Sequence, residues 1–169
     1  MASKSKPGMS KSKAGNSNSG KKVVAQNRKA RHDYHVLDTY EAGLVLSGTE
    51  VKSLRTAKLN LRDSYARVDG VEVYLHNVHI SPYMAATHFN HDPDRPKKLL
   101  LHRREICKLS EQTQQKGLTV VPLRVYFNAR GFAKVEIALV RGKREYDKRQ
   151  EIARRDADRA IQRVLKEVG

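Results

Sequence analysis

The sequence lacks most of the features on which small secreted proteins and membrane proteins depend. Its 169 residues contain no tryptophan and a single cysteine, Cys107, so neither an internal disulfide framework nor a cysteine-based zinc site is available. Its apolar runs are far shorter than the roughly 20 residues that a membrane helix needs. No apolar segment follows the basic N-terminus, so no secretory signal is visible. We therefore expect a cytoplasmic protein that does not enter a membrane.

Basic residues outnumber acidic residues at both ends of the chain. The sequence holds 34 Lys and Arg against 18 Asp and Glu, which gives a formal net charge of +16. Residues 1–31 contain nine bases and no acid, whereas residues 141–169 contain ten bases and six acids. The stretch between them is nearly balanced. This distribution predicts a globular body with basic ends and a polyanionic partner, most simply a nucleic acid.

Composition divides the chain into three parts. Residues 1–22 are mostly Ser, Lys, Gly and Asn with almost nothing to bury, so we expect a disordered basic tail. Residues 23–141 carry the strand and turn signals and are predicted to form the β-barrel domain that binds the nucleic acid. Residues 142–169 are a basic tail in which Ile161, Val164 and Leu165 recur at helical spacing. Its apolar stripe is thin, so this tail is predicted to be disordered or helical when free and helical on its partner.

Short strands joined by turns dominate the middle of the chain. The predicted strands are Tyr34–Tyr40, Leu44–Leu46, Ser64–Val68, Val71–Ile80, Leu118–Phe127 and Phe132–Val140. Asp69-Gly70 predicts a type I′ turn within one hairpin. Two helices are expected, one over Thr49–Arg55 with Thr49 as its N-cap and one from about His102 to Lys116 before Gly117. The pattern predicts a mainly β fold, a small antiparallel barrel with flanking helices.

No catalytic or metal-binding pattern stands out. His88, His91, Asp92 and Asp94 do not have metal-ligand spacing, and the prolines beside them favour a shaped loop. Cys107 lies next to the apolar face of a predicted helix and is more simply a small boundary residue than a nucleophile. A ribonuclease needs an acid and a base that converge on one phosphate, and this alternative stays open because the sequence does not show which histidines meet. The histidines concerned are His32, His35, His76, His79 and His102.

Basic side chains near element ends and in loops are candidates for phosphate contacts. They are Arg28, Lys29, Arg31, Lys52, Arg55, Lys58, Arg62, Lys97, Lys98, Arg103 and Arg104. Aromatic rings are candidates for stacking on unpaired bases, although packing at the barrel rim explains the tyrosines better. These rings are Tyr34, Tyr40, Tyr65, Tyr83, His32 and His102. The residues alone do not distinguish a specific RNA from ribosomal RNA, so a general ribosomal-RNA-binding accessory protein remains an alternative.

A set of short strings points to one family. The strings, in chain order, are Asn27–Tyr34, Glu41–Leu44, Gly48–Arg55, Asp63–Tyr65, Ile80–Tyr83, Asn90–Arg95, Lys98–His102, Gly117–Leu123 and Gly142–Arg149. Together they resemble the SsrA-binding proteins, also called small protein B, the partners of transfer-messenger RNA. The resemblance runs from about residue 23 to residue 165 and does not reach residues 1–20.

This resemblance implies a non-enzymatic RNA-binding protein of ribosome rescue, built on an antiparallel barrel of the oligonucleotide-binding kind. Such a protein binds the tRNA-like domain of transfer-messenger RNA and delivers it to stalled ribosomes for trans-translation, which tags incomplete peptides. Its tail enters the empty decoding site and messenger channel of the small subunit. Elongation factor Tu and alanyl-tRNA synthetase are then indirect partners through the RNA, and no cofactor or metal is implied.

The resemblance also assigns functional residues. The RNA contacts fall on Glu41, Leu100 and His102. Supporting contacts fall on Asn27, Lys29, Arg31, Lys52 and Lys134, and we add His32 from the candidate stacking rings and Arg55 from the basic candidates. The decoding-site contacts fall on Tyr146, Asp147, Lys148 and Arg149, and the tail motif continues into Ile161. Some family members have a His where Tyr146 stands, and either ring can stack on a ribosomal base.

Overall fold

The computed structural model describes residues 20–86, 89–143 and 145–168, and for residues 145–147 and 167–168 it describes the backbone only. The elements, in chain order, are β1 (Lys22–Gln26), α1 (Arg28–Asp33), β2 (Tyr34–Leu44), α2 (Gly48–Arg55), β3 (Leu59–Asn60), β4 (Tyr65–Asp69), β5 (Glu72–His76), β6 (His79–Ile80), β7 (Lys97–Leu100), α3 (Arg103–Thr113), β8 (Leu118–Phe127), β9 (Ala133–Gly142) and α4 (Glu145–Val168). Most of the predicted disordered tail, residues 1–19, lies outside the described residues.

The main sheet is antiparallel and nearly closes into a ring. Its seven strands run in the order β1-β8-β4-β5-β7-β2-β9, and β8 also pairs with β9 along its whole length. The narrowest link is between β4 and β8, where Ala66 pairs with Val120. The short strands β3 and β6 form a separate two-stranded sheet. The predicted mainly β, antiparallel fold with flanking helices is therefore confirmed at this level.

The core lies inside the ring and follows the alternation of the strands. Val135, Ile137 and Leu139 of β9 are fully buried, as their period of two predicts. Leu109 of α3 is buried against the same core, so this helix covers one end of the ring. The helix spans Arg103–Thr113, within the predicted range.

The outward face of β8 and β9 is buried at one end. Here Val121, Leu123, Ala138 and Val140 pack against Ala30 of α1 and form a second apolar cluster. This end of the two strands is therefore covered on both faces, which explains why β8 is apolar nearly throughout. At their other end the same outward face carries Arg124, Tyr126, Lys134 and Glu136 in place of an apolar cluster.

Three local expectations were wrong. Ser47, not Thr49, is the N-cap of α2, because the Ser47 side chain and the Glu50 carboxylate form a reciprocal capping box. The two central residues of the first hairpin turn are Gly70 and Val71 rather than Asp69 and Gly70, since Asp69 is already paired with Glu72. The strand predicted at Leu44–Leu46 does not form separately, because β2 continues to Leu44.

The helix α1 was not predicted. Its six residues are mostly charged and only Ala30 is buried, so the segment has no apolar period that would indicate a helix. Asn27 caps it by accepting a hydrogen bond from the Ala30 backbone N–H at 3.1 Å. The basic approach to the first long strand is thus an ordered, capped turn of helix.

The C-terminal tail is helical in this structure. The helix α4 spans Glu145–Val168, and its described side chains beyond Glu151 are exposed. A helix of this length extends about 36 Å. None of the helices among the described residues is long and apolar enough to cross a membrane.

A buried charge cluster joins α2 to the loop before β7. The carboxylate of Glu50 is fully buried and accepts hydrogen bonds from Arg95 Nη2 at 2.6 Å and from the Ser47 backbone N–H at 2.8 Å. Lys97 is also fully buried, with its Nζ 3.5 Å from Glu50 Oε1. Lys97 Nζ also donates to the backbone carbonyls of Pro93 and Arg95. Lys97 was a candidate for phosphate contact, and its burial rules out that role in this fold.

In this cluster, burial and the neighbouring charged groups shift the pKa values of Glu50 and Lys97 in opposite directions. Burial raises the pKa of Glu50, but Arg95, Ser47 and Lys97 together outweigh it and hold that pKa below its usual 4.5. Burial lowers the pKa of Lys97, and Glu50 opposes the change. Because the pKa of Glu50 is lower in the folded chain, the carboxylate stabilises the fold above about pH 4.5, and this stabilisation is lost as the pH falls further.

Replacing Glu50 should therefore strongly destabilise the fold. At neutral pH we expect Glu50→Ala to lower the free energy of unfolding by about 3–5 kcal/mol, because Lys97 is left buried without its carboxylate. The difference in the free energy of unfolding between this variant and the unmodified chain should shrink as the pH falls below 4.5, because Glu50 itself then becomes protonated. Urea denaturation across this range measures both effects. Glu72→Ala, which removes a half-exposed carboxylate, is the control and should change little; equal losses would contradict the assignment.

Candidate nucleic-acid interface

Strand register brings three of the predicted RNA-contact residues onto one open surface. Gly43 of β2 pairs with Leu100 of β7 on one side and with Lys134 of β9 on the other. Glu41 lies two residues from Gly43 on the same outward face. His102 follows Leu100 directly after the strand ends. We call these five residues, with Gly43 at their centre, the Glu41 surface.

The carboxylate of Glu41 is held in place by two side chains of the body. The hydroxyl of Tyr126 donates a hydrogen bond to it, and Lys21 Nζ lies 3.4 Å from its Oε2. The hydrogen bond from Tyr126, supported by Lys21, keeps the pKa of Glu41 below its usual value although partial burial opposes this. Burial and the neighbouring Glu41 raise the pKa of Tyr126. Glu41 is thus an ionised, oriented acceptor that can receive a hydrogen bond from a ribose hydroxyl or a base amino group.

Cations surround this acceptor. Lys21 Nζ lies 4.7 Å from the centroid of the Tyr126 ring, and the Arg124 guanidinium lies 5.6 Å from it. Glu136, which pairs directly with Glu41 across β2 and β9, is neutralised by Arg124 Nε at 2.6 Å. Each of the two carboxylates in this row therefore has its own basic partner, Lys21 for Glu41 and Arg124 for Glu136.

Leu100 supplies an apolar platform beside this carboxylate. Its side chain is 56% exposed, although it lies on a strand next to a core residue. A Cβ atom at Gly43 would lie 3.3 Å from Leu100 Cβ, so the glycine lets the leucine side chain lie close to the sheet. His102 is exposed at the start of α3, and its backbone N–H donates to Glu105 Oε2 at 3.0 Å. An apolar patch beside a stacking ring and an anionic acceptor fits a nucleoside better than a phosphate.

The residues predicted on α1 lie farther along the same outward face of β8 and β9. Asn27 is engaged within the protein, since its amide also donates to the Leu61 carbonyl at 3.3 Å. Lys29 is exposed and forms an ion pair with Asp63 at 3.2 Å. His32 Nδ1 lies 2.9 Å from Asp33 Oδ1, while the side chain of Arg31 is exposed. The structure thus uses Asn27 as scaffold and presents Lys29 and Arg31 to solvent.

Lys52 and Arg55 belong to a separate group on α2. Both are exposed, and Lys52 Nζ lies 5.4 Å from the centroid of the Tyr83 ring. Tyr83 is fixed in its loop by two backbone hydrogen bonds to the Asn90 side chain, of 3.1 and 2.9 Å. These contacts order the loop beside α2, but they do not join Lys52 to the Glu41 surface.

The start of the tail is attached to α1 and the beginning of β2. The Lys143 backbone N–H donates to the Asp33 carbonyl at 2.9 Å, and Lys148 Nζ lies 3.6 Å from Asp33 Oδ1. The hydrogen bond from His32, with help from Lys148, holds the pKa of Asp33 below its usual value. Lys148, predicted to act in the decoding site, therefore has a partner on the body.

The remaining tail candidates differ in what the structure describes. The side chains of Tyr146 and Asp147 lie outside the described residues. Arg149 is exposed and Ile161 is 57% exposed on the apolar stripe of α4. No predicted site residue on α4 is brought against the Glu41 surface by a described contact.

Histidines that a ribonuclease would need are dispersed among different partners. His32 meets Asp33, His79 meets Asp94 at 2.9 Å, and His76 stacks on Tyr65 with ring centroids 5.3 Å apart. Within the described part of the chain, no group of three or more His, Cys, Asp or Glu is placed to hold a metal ion. Cys107 is exposed on α3.

Comparison with known proteins identifies the family. The sequence pattern of the family described as “SmpB protein” matches residues 24–167. The chain belongs to the SmpB family. Among its SmpB relatives, the “SsrA-binding protein” of Moorella thermoacetica is 60% identical over 146 residues, which is 86% of this chain and 94% of the relative. The “SsrA-binding protein” of Thermobifida fusca is 58% identical over 158 residues, covering 94% of this chain and 98% of the relative.

A solved SmpB structure has the same arrangement of elements. Its chain, described with the words “tmRNA-SmpB: a journey to the center of the bacterial ribosome”, is 50% identical and superposes with a TM-score of 0.62. The match covers 76% of this chain and 93% of that chain. The family match begins within β1 and ends within α4, so body and tail both belong to the SmpB pattern.

Asp33 should help to hold the start of α4 on the body. We expect Asp33→Asn to speed amide hydrogen exchange in residues 145–155 by about two- to fivefold, since a partly exposed ion pair contributes roughly 0.2–1 kcal/mol. Hydrogen-exchange mass spectrometry measures this directly. Asp38→Asn removes a comparable pair with Lys108 and serves as the control. Equal protection of α4 in both variants would show that Asp33 does not fix the tail.

Proposed function

We propose that this chain binds transfer-messenger RNA through the Glu41 surface and works with the ribosome in trans-translation through its tail. The observation that carries the proposal is its membership of the SmpB family over residues 24–167, with SsrA-binding proteins up to 60% identical. The protein is a non-catalytic RNA-binding protein, so its chemistry is recognition and positioning. The finer assignments below rest on the geometry of the surfaces and on the family resemblance.

The ring serves as a barrel of the oligonucleotide-binding kind, with the tRNA-like domain of the RNA as its ligand. Glu41 accepts from a ribose hydroxyl or base amino group, Leu100 packs against a sugar or base face, and His102 stacks. Lys134 lies in the same row of the sheet as Leu100 and meets a phosphate. Because mixed polar and apolar contacts converge there, this surface recognises a folded RNA feature rather than backbone charge alone.

Backbone phosphates are met by two groups of basic side chains outside this surface. On α1 these are Lys29 and Arg31, with His32 beside them, and on α2 they are Lys52 and Arg55. Asn27 supports the α1 cations by capping the helix that carries them. Each contact displaces counterions from the RNA, so binding weakens as salt rises.

The tail acts after the RNA is bound. The complex is delivered to a stalled ribosome, where α4 occupies the decoding site and messenger channel, with Tyr146, Asp147, Lys148 and Arg149 near the decoding bases and Ile161 farther in. Elongation factor Tu and alanyl-tRNA synthetase take part through the RNA, in the cytoplasm. The exposure of α4 supports this role, because a helix that contributes little to the core can be reoriented at small cost.

A charge placed on the apolar platform tests the RNA surface. Leu100→Glu should weaken binding of the tRNA-like domain by about tenfold or more, because the new carboxylate faces the phosphates of the RNA. Leu100 is exposed, so the variant should fold normally. Filter binding at fixed salt measures the change. Leu165→Glu, the same substitution at an exposed position of α4, is the control; equal weakening by both would remove the Glu41 surface from the binding site.

Deleting the tail separates binding from ribosome action. A chain that ends at Gly142 should keep its affinity for the tRNA-like domain within about tenfold, because the Glu41 surface and α1 remain intact. It should no longer support tagging of peptides on stalled ribosomes in a reconstituted assay. Thermal unfolding checks that the shortened body is folded. A folded body that has lost tight RNA binding would overturn this division of roles.

A further inference from the structure

An open cleft separates the body from the tail helix. It has a volume of about 650 Å³ and lies between α1, the start of β2 and the first half of α4. The residues that line it include Arg31, Lys143, Arg154 and Arg155, along with Glu151. Three separate parts of the chain thus direct basic side chains into one concave space.

The internal ion pairs leave this cleft strongly positive. Among the described side chains that line it, Glu151 is the one carboxylate, and it is engaged by Lys143 and by Arg155 Nη2 at 2.7 Å. The guanidinium groups of Arg31 and Arg154 form no ion pair with another described side chain. Four basic residues and one acidic residue therefore line the cleft, and the carboxylate is already shared between two of the four.

We propose that this cleft is a binding site for a backbone phosphate of RNA, held between Arg31 on the body and Arg154 on the tail. Guanidinium groups form paired hydrogen bonds to phosphate oxygens, and a phosphate is small enough for a cleft of this size. The inference rests on the proposed function, because it assumes an RNA partner. It goes beyond that function by assigning Arg154 and the cleft, which neither the Glu41 surface nor the decoding-site residues include.

A phosphate in this position would connect body and tail. Without it, α4 is attached by partly exposed pairs such as Lys148–Asp33 at 3.6 Å. An anion bound by Arg31 and Arg154 adds attraction from both sides and offsets the repulsion between the basic helix and the basic α1. RNA binding in the cleft therefore fixes the direction in which α4 leaves the body.

The test compares two arginines of α4. Arg154→Gln removes a cleft residue, whereas Arg159→Gln removes an exposed arginine whose neighbour is Asp156 at 3.7 Å, outside the cleft lining. Affinity is measured over a salt series in two arms, one with the tRNA-like domain of transfer-messenger RNA and one with empty ribosomes. Circular dichroism of each variant checks that helix content is unchanged.

Arg154→Gln should reduce the magnitude of the slope of log affinity against log salt by about 0.7–0.9 in one arm, as expected for one lost phosphate contact, and should reduce it more than Arg159→Gln does in that arm. The arm that responds identifies the RNA that supplies the phosphate. Unchanged slopes for Arg154→Gln in both arms, or equal decreases for both variants, would contradict the proposal that the cleft binds a phosphate. In a separate titration of both variants with polyglutamate, a weakening by Arg154→Gln that is seen only there would assign the cleft to an acidic protein and overturn the proposal.

The two proposals fail in different ways. If the unmodified chain binds neither the tRNA-like domain nor ribosomes, the proposed function fails and the cleft fails with it. If the unmodified chain binds both and Arg154→Gln behaves like Arg159→Gln, the phosphate site in the cleft is wrong but the proposed function stands.

Discussion

The long antiparallel pairing of β2 with β9 is the constraint on which the functional geometry depends. It places Gly43 opposite Lys134, and β7 then adds Leu100 on the other side of the same glycine. Because side chains alternate along a strand, a slip of one residue would turn Glu41 into the core and Ala42 outward. The buried row of Val135, Ile137 and Leu139 opposes such a slip, so packing inside the ring fixes the recognition surface outside it.

A second constraint fixes α2 and the loop that precedes β7. Glu50 is the capping-box residue of α2 and at the same time the buried partner of Arg95 and Lys97. A change in the orientation of α2 would therefore expose or unpair a buried charge, which costs several kilocalories per mole. This rigidity extends to Lys52, which α2 carries on its exposed side.

The sequence predicted those parts of the fold that periodicity controls and missed those that single contacts control. Alternation along β9 was predictable because its buried residues recur at every second position. The helix α1 was not predicted, because Asn27 and one buried alanine hold it rather than an apolar stripe. The burial of Lys97 was not predicted, because the strand that places it two residues before Leu99, and so on the same inward face, was itself not predicted.

The candidate site could be predicted less well than the fold from the residues alone. Charge imbalance indicates a polyanionic partner, but nothing local shows that Glu41 and Leu100, far apart in the chain, meet across a glycine. The family resemblance named them, and strand register shows that they share one surface. The hydrogen bond from Tyr126 to Glu41 depends on strands β2 and β8, which are not paired with each other, and no pattern in the sequence predicts it.

The weakness of the attachment between tail and body fits a protein that has to act in two places. A helix buried firmly on the ring would be stable in solution but costly to redirect into another binding site. Here α4 is attached near Asp33 by partly exposed groups, and its far half is exposed. Each such pair contributes less than about 1 kcal/mol, so the phosphate that we propose between Arg31 and Arg154 has only weak contacts to outweigh. Control of the tail's direction by RNA therefore needs no rearrangement of the body, since the balance between these weak charges is enough.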